Sequence, residues 1–397
     1  MTYDFSTPID RRRTDSEAIV GMQRALGRTD LIPLWIADMD FATPPFVMRV
    51  VERRLRQQIL GYTCSYPSYY RAIVGWCERR YGFHINESDI HFVPGIVPAI
   101  CFAENCLTQP GDKVMTLTPV YHPFRHVTEA SGRIDVQVPL IVRDGRFYMD
   151  YDAIDRQLAD CRLLLLCNPH NPGGTSWTQD EIVRIVKLCR KHNVIIVSDE
   201  IHADLTYAPH KHVPTAMSCP EARDITLTFM APTKVFNFPG LIASHVIATG
   251  DELRRRFFDY LDGNDIGNGS VFAYDAVEAC YSDEGEEWLS QLTAYISANI
   301  DYVISFLADH CPGIRPMRPE ASFLIFLDHS SMHFPSQEAL TDFYINGAGL
   351  YLNDGTIFGP TGRNFMRLNV GMPRCILEQA MSQLAAAYDR LPAEVKP

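Results

Sequence analysis

The chain has 397 residues, with 36 Lys+Arg against 48 Asp+Glu and a formal net charge of -12. That sign argues against a nucleic-acid or anionic-membrane partner. No apolar run approaches the roughly 20 residues that span a bilayer, and MTYDFSTPIDRRRTD lacks the apolar core of a signal peptide. The 11 cysteines are scattered without a C-x-x-C pair, which suggests neither a disulfide frame nor a metal site and fits a reducing, cytoplasmic setting.

Residues 1–45 are punctuated by Pro and Arg, end in IADMDFATPP, and read as an arm. From residue 46 helix and strand signals alternate. VPGIVPAI (93–100) is a Gly/Pro turn ahead of a helical pattern, with Pro98 expected at the first helical position. Free N–H groups at Gly95, Ile96 and Val97 could hold a phosphate there, although such a turn is common in itself. The strand KVMTLT leads to Tyr121, which is either a stacking platform for a flat heterocycle or a core tyrosine.

LLLLCN reads as a buried parallel strand and NPHNPGG breaks it. A capping box, Thr178 with Glu181, opens a helix with the apolar face Ile182, Ile185, Val186 and Cys189. His192-Asn193 can close it, and VIIVSDE is the next strand, giving a right-handed βαβ unit. Asp199, at that strand's end, needs a cationic or donor partner or serves as a helix N-cap. Glu200, next to it, is the alternative for the important acid. ITLTFM (225–230) runs into APTKVFNFPG, whose Lys234 is the one charged residue between Asp224 and Asp251. A lysine at a dry strand end loses hydration and tends toward the neutral, nucleophilic amine; a buried ion pair or a snorkelling side chain is the alternative.

SHVIAT (244–249) is a further strand and GNDIGNGS (263–270) a Gly-rich turn. From about residue 286 a long helical pattern runs to roughly 310. ASFLIFLD and NFMRLNV read as strands, and CILEQAMSQLAAAYDRL as a last amphipathic helix. Arg367 is the lone charge of its strand, suited to a carboxylate through two parallel hydrogen bonds or to a buried ion pair. The organisation is α/β: an arm (1–45) joining a smaller α+β domain (286–397), and a large domain (46–285). NPHNPGG, SDEIH and APTK each begin where a strand ends, and open α/β sheets bind ligands outside those ends. No G-x-G-x-x-G opens a βαβ unit, and neither G-x-x-x-x-G-K-[ST] nor H-E-x-x-H occurs.

IPLWIADMDF, GYT (61–63), GIVPAI, TPVYHPF, NPHNPGG, SDEIHADL, APTKVFNFPGL and FMRLNVGMPR, in this order, resemble fold-type I pyridoxal-phosphate enzymes, the aspartate aminotransferase superfamily. Within it they look most like the cystathionine β-lyase and C–S lyase branch that includes MalY and PatB. The resemblance covers nearly the whole chain. It implies a PLP-dependent transferase-like fold with a mostly parallel seven-stranded sheet, pyridoxal 5'-phosphate as cofactor, no metal, and a homodimer with a shared active site. Carried over, Lys234 would hold the cofactor covalently and move the proton, and Tyr121, counted with it as catalytic, would stack on the ring. Asp199 would pair with the ring nitrogen, Ile201 would pack on the other face, and Asn171 and His202 would reach the ring oxygen. Gly95, Ile96, Val97 and Thr233 would bind the phosphate, with Tyr62 reaching it from the second subunit. Arg367, assisted by Asn171, would grip the substrate carboxylate, and Trp35, Ala37 and Asp38 would edge the substrate pocket.

Ile242 and Ala231 stand where many transaminases of the superfamily have an arginine and a serine, which favours the lyase branch. The expected reaction is α,β-elimination of cystathionine or related cysteine S-conjugates. An aminotransferase is the nearest rival. A regulator on the same fold that has lost turnover is the other, and the intact Lys234, Asp199 and Arg367 set speaks against it.

Overall fold

The computed structural model describes residues 2–397. A seven-stranded sheet organises the larger part of it. In chain order its strands are β1 (Ile90–Val93), β2 (Lys113–Thr118), β3 (Ile134–Pro139), β4 (Cys161–Cys167), β5 (Ile195–Asp199), β6 (Thr226–Met230) and β7 (Ser244–Ile247). Their spatial order is β1-β7-β6-β5-β4-β2-β3. The run from β6 to β3 is parallel throughout. β7 is antiparallel to both of its neighbours, a reversal that nothing in SHVIAT announces. β1 and β3 do not stand out in the sequence either: the first is four residues long, and the second is an edge strand of mostly half-buried residues.

Strand alternation sorts the side chains into two cores. Leu163, Leu165, Cys167 and Val197 face the helix α1 (Ile96–Leu107). Leu164, Leu166 and Ile196 face the helix α2 (Gln179–His192) on the other side. The capping box of α2 is present: the Glu181 N–H donates to Thr178 Oγ1, and the Thr178 N–H donates to Glu181 Oε2. Asn193, at φ 55°, closes this helix in the left-handed conformation. Helix α1 starts at Ile96, so Pro98 sits third rather than first. Gly95 makes the earlier start possible, because its φ of 104° lets the chain turn just before Ile96. A proline in the first turn still removes only an N–H that would lack a helical acceptor.

A second, antiparallel sheet runs Arg315–Met317, Leu324–Asp328, Phe365–Asn369, Asn353–Asp354 in space, packed with the helices Asp283–His310 and Arg374–Asp389. The arm adds the short strand Ile32–Pro33, paired in parallel with Leu350–Tyr351. It then crosses toward the large sheet, where Asn237 clasps it by donating to the carbonyls of Met39 and Phe41 and accepting from the Met39 N–H. Asn369 holds the same segment from the smaller sheet by donating to the carbonyls of Ile36 and Asp38. No helix among the described residues is long and apolar enough to cross a membrane.

Candidate active site

A cavity of about 270 Å³ lies at the carboxyl ends of β4, β5 and β6, where loops distant in sequence meet. Gly95, Ile96, Val97, Tyr121, Asn171, Asp199, Ile201, His202, Thr233, Lys234 and Ala37 all line it. Asp199 and Lys234 are the charged side chains among its lining residues.

Asp199 shares the face of β5 that carries Val197, toward α1 and the cavity. It is buried, and one hydrogen bond reaches its carboxylate, from the Ile201 N–H at 3.1 Å. Burial pushes its pKa up to about 7, outweighing the Ile201 N–H and the charge of Lys234, which pull the other way. Glu200 faces the opposite side and is buried too. It accepts from Ser198 Oγ at 2.7 Å and the Thr215 N–H at 2.9 Å, and pairs with His212 at 2.7 Å. Of the two adjacent acids, Asp199 is the one with an open valence on the cavity.

Lys234 is half-buried, and its Nζ donates to the Ala37 carbonyl at 2.6 Å. Burial pulls its pKa down, with Asp38 and Asp199 pulling the other way and Arg367 reinforcing the fall. His202 is neutral near pH 7, because burial lowers its pKa to about 3, and its buried Nδ1 has no partner. Burial raises the Tyr121 hydroxyl above its ordinary value.

Arg367 lies just behind the cavity wall, 4% exposed. Its guanidinium donates to Asn171 Oδ1 at 3.0 Å, to the Trp35 carbonyl at 2.7 Å and to Asn353 Oδ1 at 2.6 Å. It rests 4.9 Å above the Phe358 ring. Its Nε has no partner, and no carboxylate among the described residues pairs with it. Burial lowers its pKa to about 10. A buried guanidinium held only by neutral acceptors is set up for an incoming carboxylate, so the structural ion pair that the sequence left open is absent here.

Three sequence-derived positions lie elsewhere. Asp38 turns its carboxylate to Arg11, which binds it through two nitrogens at 3.0 and 2.6 Å and also binds Asp40. The charge of Asp38 therefore bears on Lys234 without lining the cavity. Trp35 packs against Tyr351 and donates to the Ala18 carbonyl, leaving its own carbonyl for Arg367. Tyr62 is fully exposed and lines a separate surface hollow with Asp265 and Asn268–Phe272.

The open valences fit pyridoxal phosphate. Asp199 lacks a cation of the kind a protonated ring nitrogen supplies, Lys234 is biased toward a nucleophilic amine, and Ile96 and Val97 offer the unpaired N–H groups of a helix start to an anion. The model for aminotransferase class I and II matches residues 29–384. The chain belongs to the aminotransferase class I and II family. Among the family's curated members, cystathionine beta-lyase PatB of Bacillus subtilis is 39% identical over 91% of this chain and 93% of its own length. Cystalysin from Treponema denticola, a structure that contains pyridoxal 5'-phosphate, superposes with a TM-score of 0.93 at 30% identity, covering 99% of this chain and 100% of that one. The PLP-bound C–S lyase from Staphylococcus hominis superposes at 0.90 with 29% identity, covering 98% of each.

In this family member the cavity also contains residues that the motifs did not single out. Ser244 and Cys167 lie on its wall, while Asn353 and Phe358 seat Arg367. Asn237 and Asn369 carried a faint signal, as polar residues inside otherwise apolar stretches. Ser244, at the start of a short strand, carried none.

Proposed function

We propose that this protein is a pyridoxal-phosphate-dependent carbon–sulfur β-lyase. It converts L-cystathionine or a related cysteine S-conjugate, with one water, to a thiol, pyruvate and ammonium. The observation that carries this reading is the convergence of three incompletely paired groups around one cavity: Lys234 for covalent attachment, Asp199 for a cationic ring nitrogen, and Arg367 for a carboxylate. The names of PatB and the Staphylococcus C–S lyase support the choice of reaction.

Lys234 would hold the cofactor, with Tyr121 and Ile201 flanking the ring and Asn171 and His202 beside its oxygen. When bound, pyridoxal phosphate supplies the electron sink for negative charge at the substrate Cα. Arg367 and Asn171 fix the α-carboxylate, which orients the Cα–H toward Lys234. The Lys234 amine accepts that proton, and burial lowers its pKa toward the neutral form that such a base needs. Asp199 would pair with the ring nitrogen and favour its protonated form, which would give the carboxylate the cation it otherwise lacks. Loss of the thiolate from Cβ and hydrolysis complete the reaction.

The protein acts as a homodimer in this reading. Ile59, Leu60, Tyr62 and Ile242 are apolar side chains exposed on a single chain, as a surface to be covered by a second copy would be. Pyruvate release from cystathionine, cystine and bulkier S-conjugates, assayed without added keto acid, tests the reaction. Turnover that requires a keto acid would make the protein a transaminase instead.

A further inference from the structure

Resting on that reading of the cavity, we propose that Ser244 is a further binding residue for the cofactor phosphate. With it, the chain builds its phosphate cradle from neutral donors in place of a side-chain cation.

Ser244 opens β7 and pairs with Val93, the last residue of β1. That register sets it beside the Pro94-Gly95 turn from which α1 departs. Alternation puts Ser244 on the same face of β7 as Val246, which packs in the core under α1 with Ile96. The residue is 3% exposed and lies on the cavity wall. Its hydroxyl has no partner among the described residues, yet it is not among the sealed, unpartnered atoms. The hydroxyl is therefore open to the cavity. Thr233 is in the same condition at the end of β6.

Two further features call for such a group. The Gly95 N–H, one of three expected to face the phosphate, donates instead to the Val93 carbonyl at 2.9 Å. The cradle thus keeps the N–H groups of Ile96 and Val97 from the backbone, and the two hydroxyls replace what Gly95 does not give. No cationic side chain adjoins this end of the cavity apart from Lys234, which is committed to covalent attachment. Ile242 occupies the wall there, 55% exposed and at φ 51°, an unusual conformation for a β-branched residue. Tyr62, were it to reach the phosphate from a second copy, would add a hydroxyl and no cation.

The test uses the holoenzyme. A dilution series read by the visible absorbance of the bound cofactor gives its dissociation constant, and the 31P resonance reports the phosphate environment. Ser244→Ala should weaken cofactor binding about tenfold, the scale of one hydrogen bond to a charged group, and should move the 31P resonance. Asp199→Asn should weaken binding while leaving the resonance in place, because it acts at the other end of the ring. Adding Ile242→Arg to Ser244→Ala should restore retention by supplying the missing cation. A Ser244→Ala holoenzyme with wild-type retention and resonance overturns the proposal. So does a 31P change matched by Asp199→Asn, which would mark a general loosening of the site. Borohydride trapping of the wild type, with peptide mapping, separates the two levels: cofactor trapped away from Lys234 overturns the cavity reading itself.

Discussion

Asp199 and Glu200 are neighbours in the chain, both buried at the end of β5, and they live in opposite circumstances. Glu200 points into a closed network in which Ser198, Thr215 and His212 satisfy its oxygens. Asp199 points into the cavity with one backbone N–H. The same contrast separates Arg146, which lies between the carboxylates of Glu181 and Glu320, from Arg367, which has amide and carbonyl oxygens only. Buried charge that is fully paired holds a fold together, whereas buried charge left short of partners is held ready for something that arrives later. For the two acids, both of them buried carboxylates, the distinction is one of saturation.

Mutations can break that comparison. The largest effect is expected from Lys234→Ala, which should lower pyruvate release by on the order of 10⁴ and abolish the borohydride-reducible chromophore. A variant that kept both would remove Lys234 from the site. Asp199→Asn should cost on the order of 10² to 10³ in turnover without loss of thermal stability, since the carboxylate it replaces is poorly paired. Glu200→Ala should do the reverse. It strands His212 and the Thr215 N–H in the core and should cost about 3 kcal/mol in urea unfolding. If the two variants changed stability alike, saturation would not be the difference between these acids. Arg367→Ala should raise KM for the amino-acid substrate by about 10² while the visible absorbance of the cofactor stays unchanged.

A further effect is expected in the pH dependence of stability without cofactor. The pKa of Asp199 is raised in the fold, from 3.8 to about 7. The folded chain therefore binds the proton more tightly than the unfolded chain does. Between about pH 4 and pH 7 stability falls as pH rises, and Asp199→Asn should lack that slope. Parallel curves for the two proteins, measured by denaturant unfolding, would mean that Asp199 already has a cation in the free chain. The bound cofactor should flatten the wild-type slope by supplying one.

Much of the scaffold was legible because it is written in local chemistry. The βαβ unit around α2 announced itself through apolar runs, a Thr178–Glu181 cap and an Asn193 stop. β1 and β3 were not legible: one is too short to show a period, and the other is an edge whose mostly half-buried residues blur the alternation. The start of α1 moved from Pro98 to Ile96 because Gly95 adopts a conformation that its neighbours do not specify. Asp38 looked like a pocket residue as part of a motif, but Arg11, 27 residues earlier, takes its carboxylate away from the cavity.

By itself the sequence determined the fold class, the order of the motifs, the resemblance to the family and the oddity of one lysine in an apolar stretch. These follow from periodicity, composition and motif spacing, which a chain carries before it folds. Only the tertiary structure decided which of two adjacent acids has an unmet need, that Asn171 and Arg367 meet across 196 positions, and that Ser244 opens onto the cavity. Hydrogen-bond saturation belongs to neighbours in space. Lys234 stands out in sequence, but the cavity it lines is made by groups that folding brings to it.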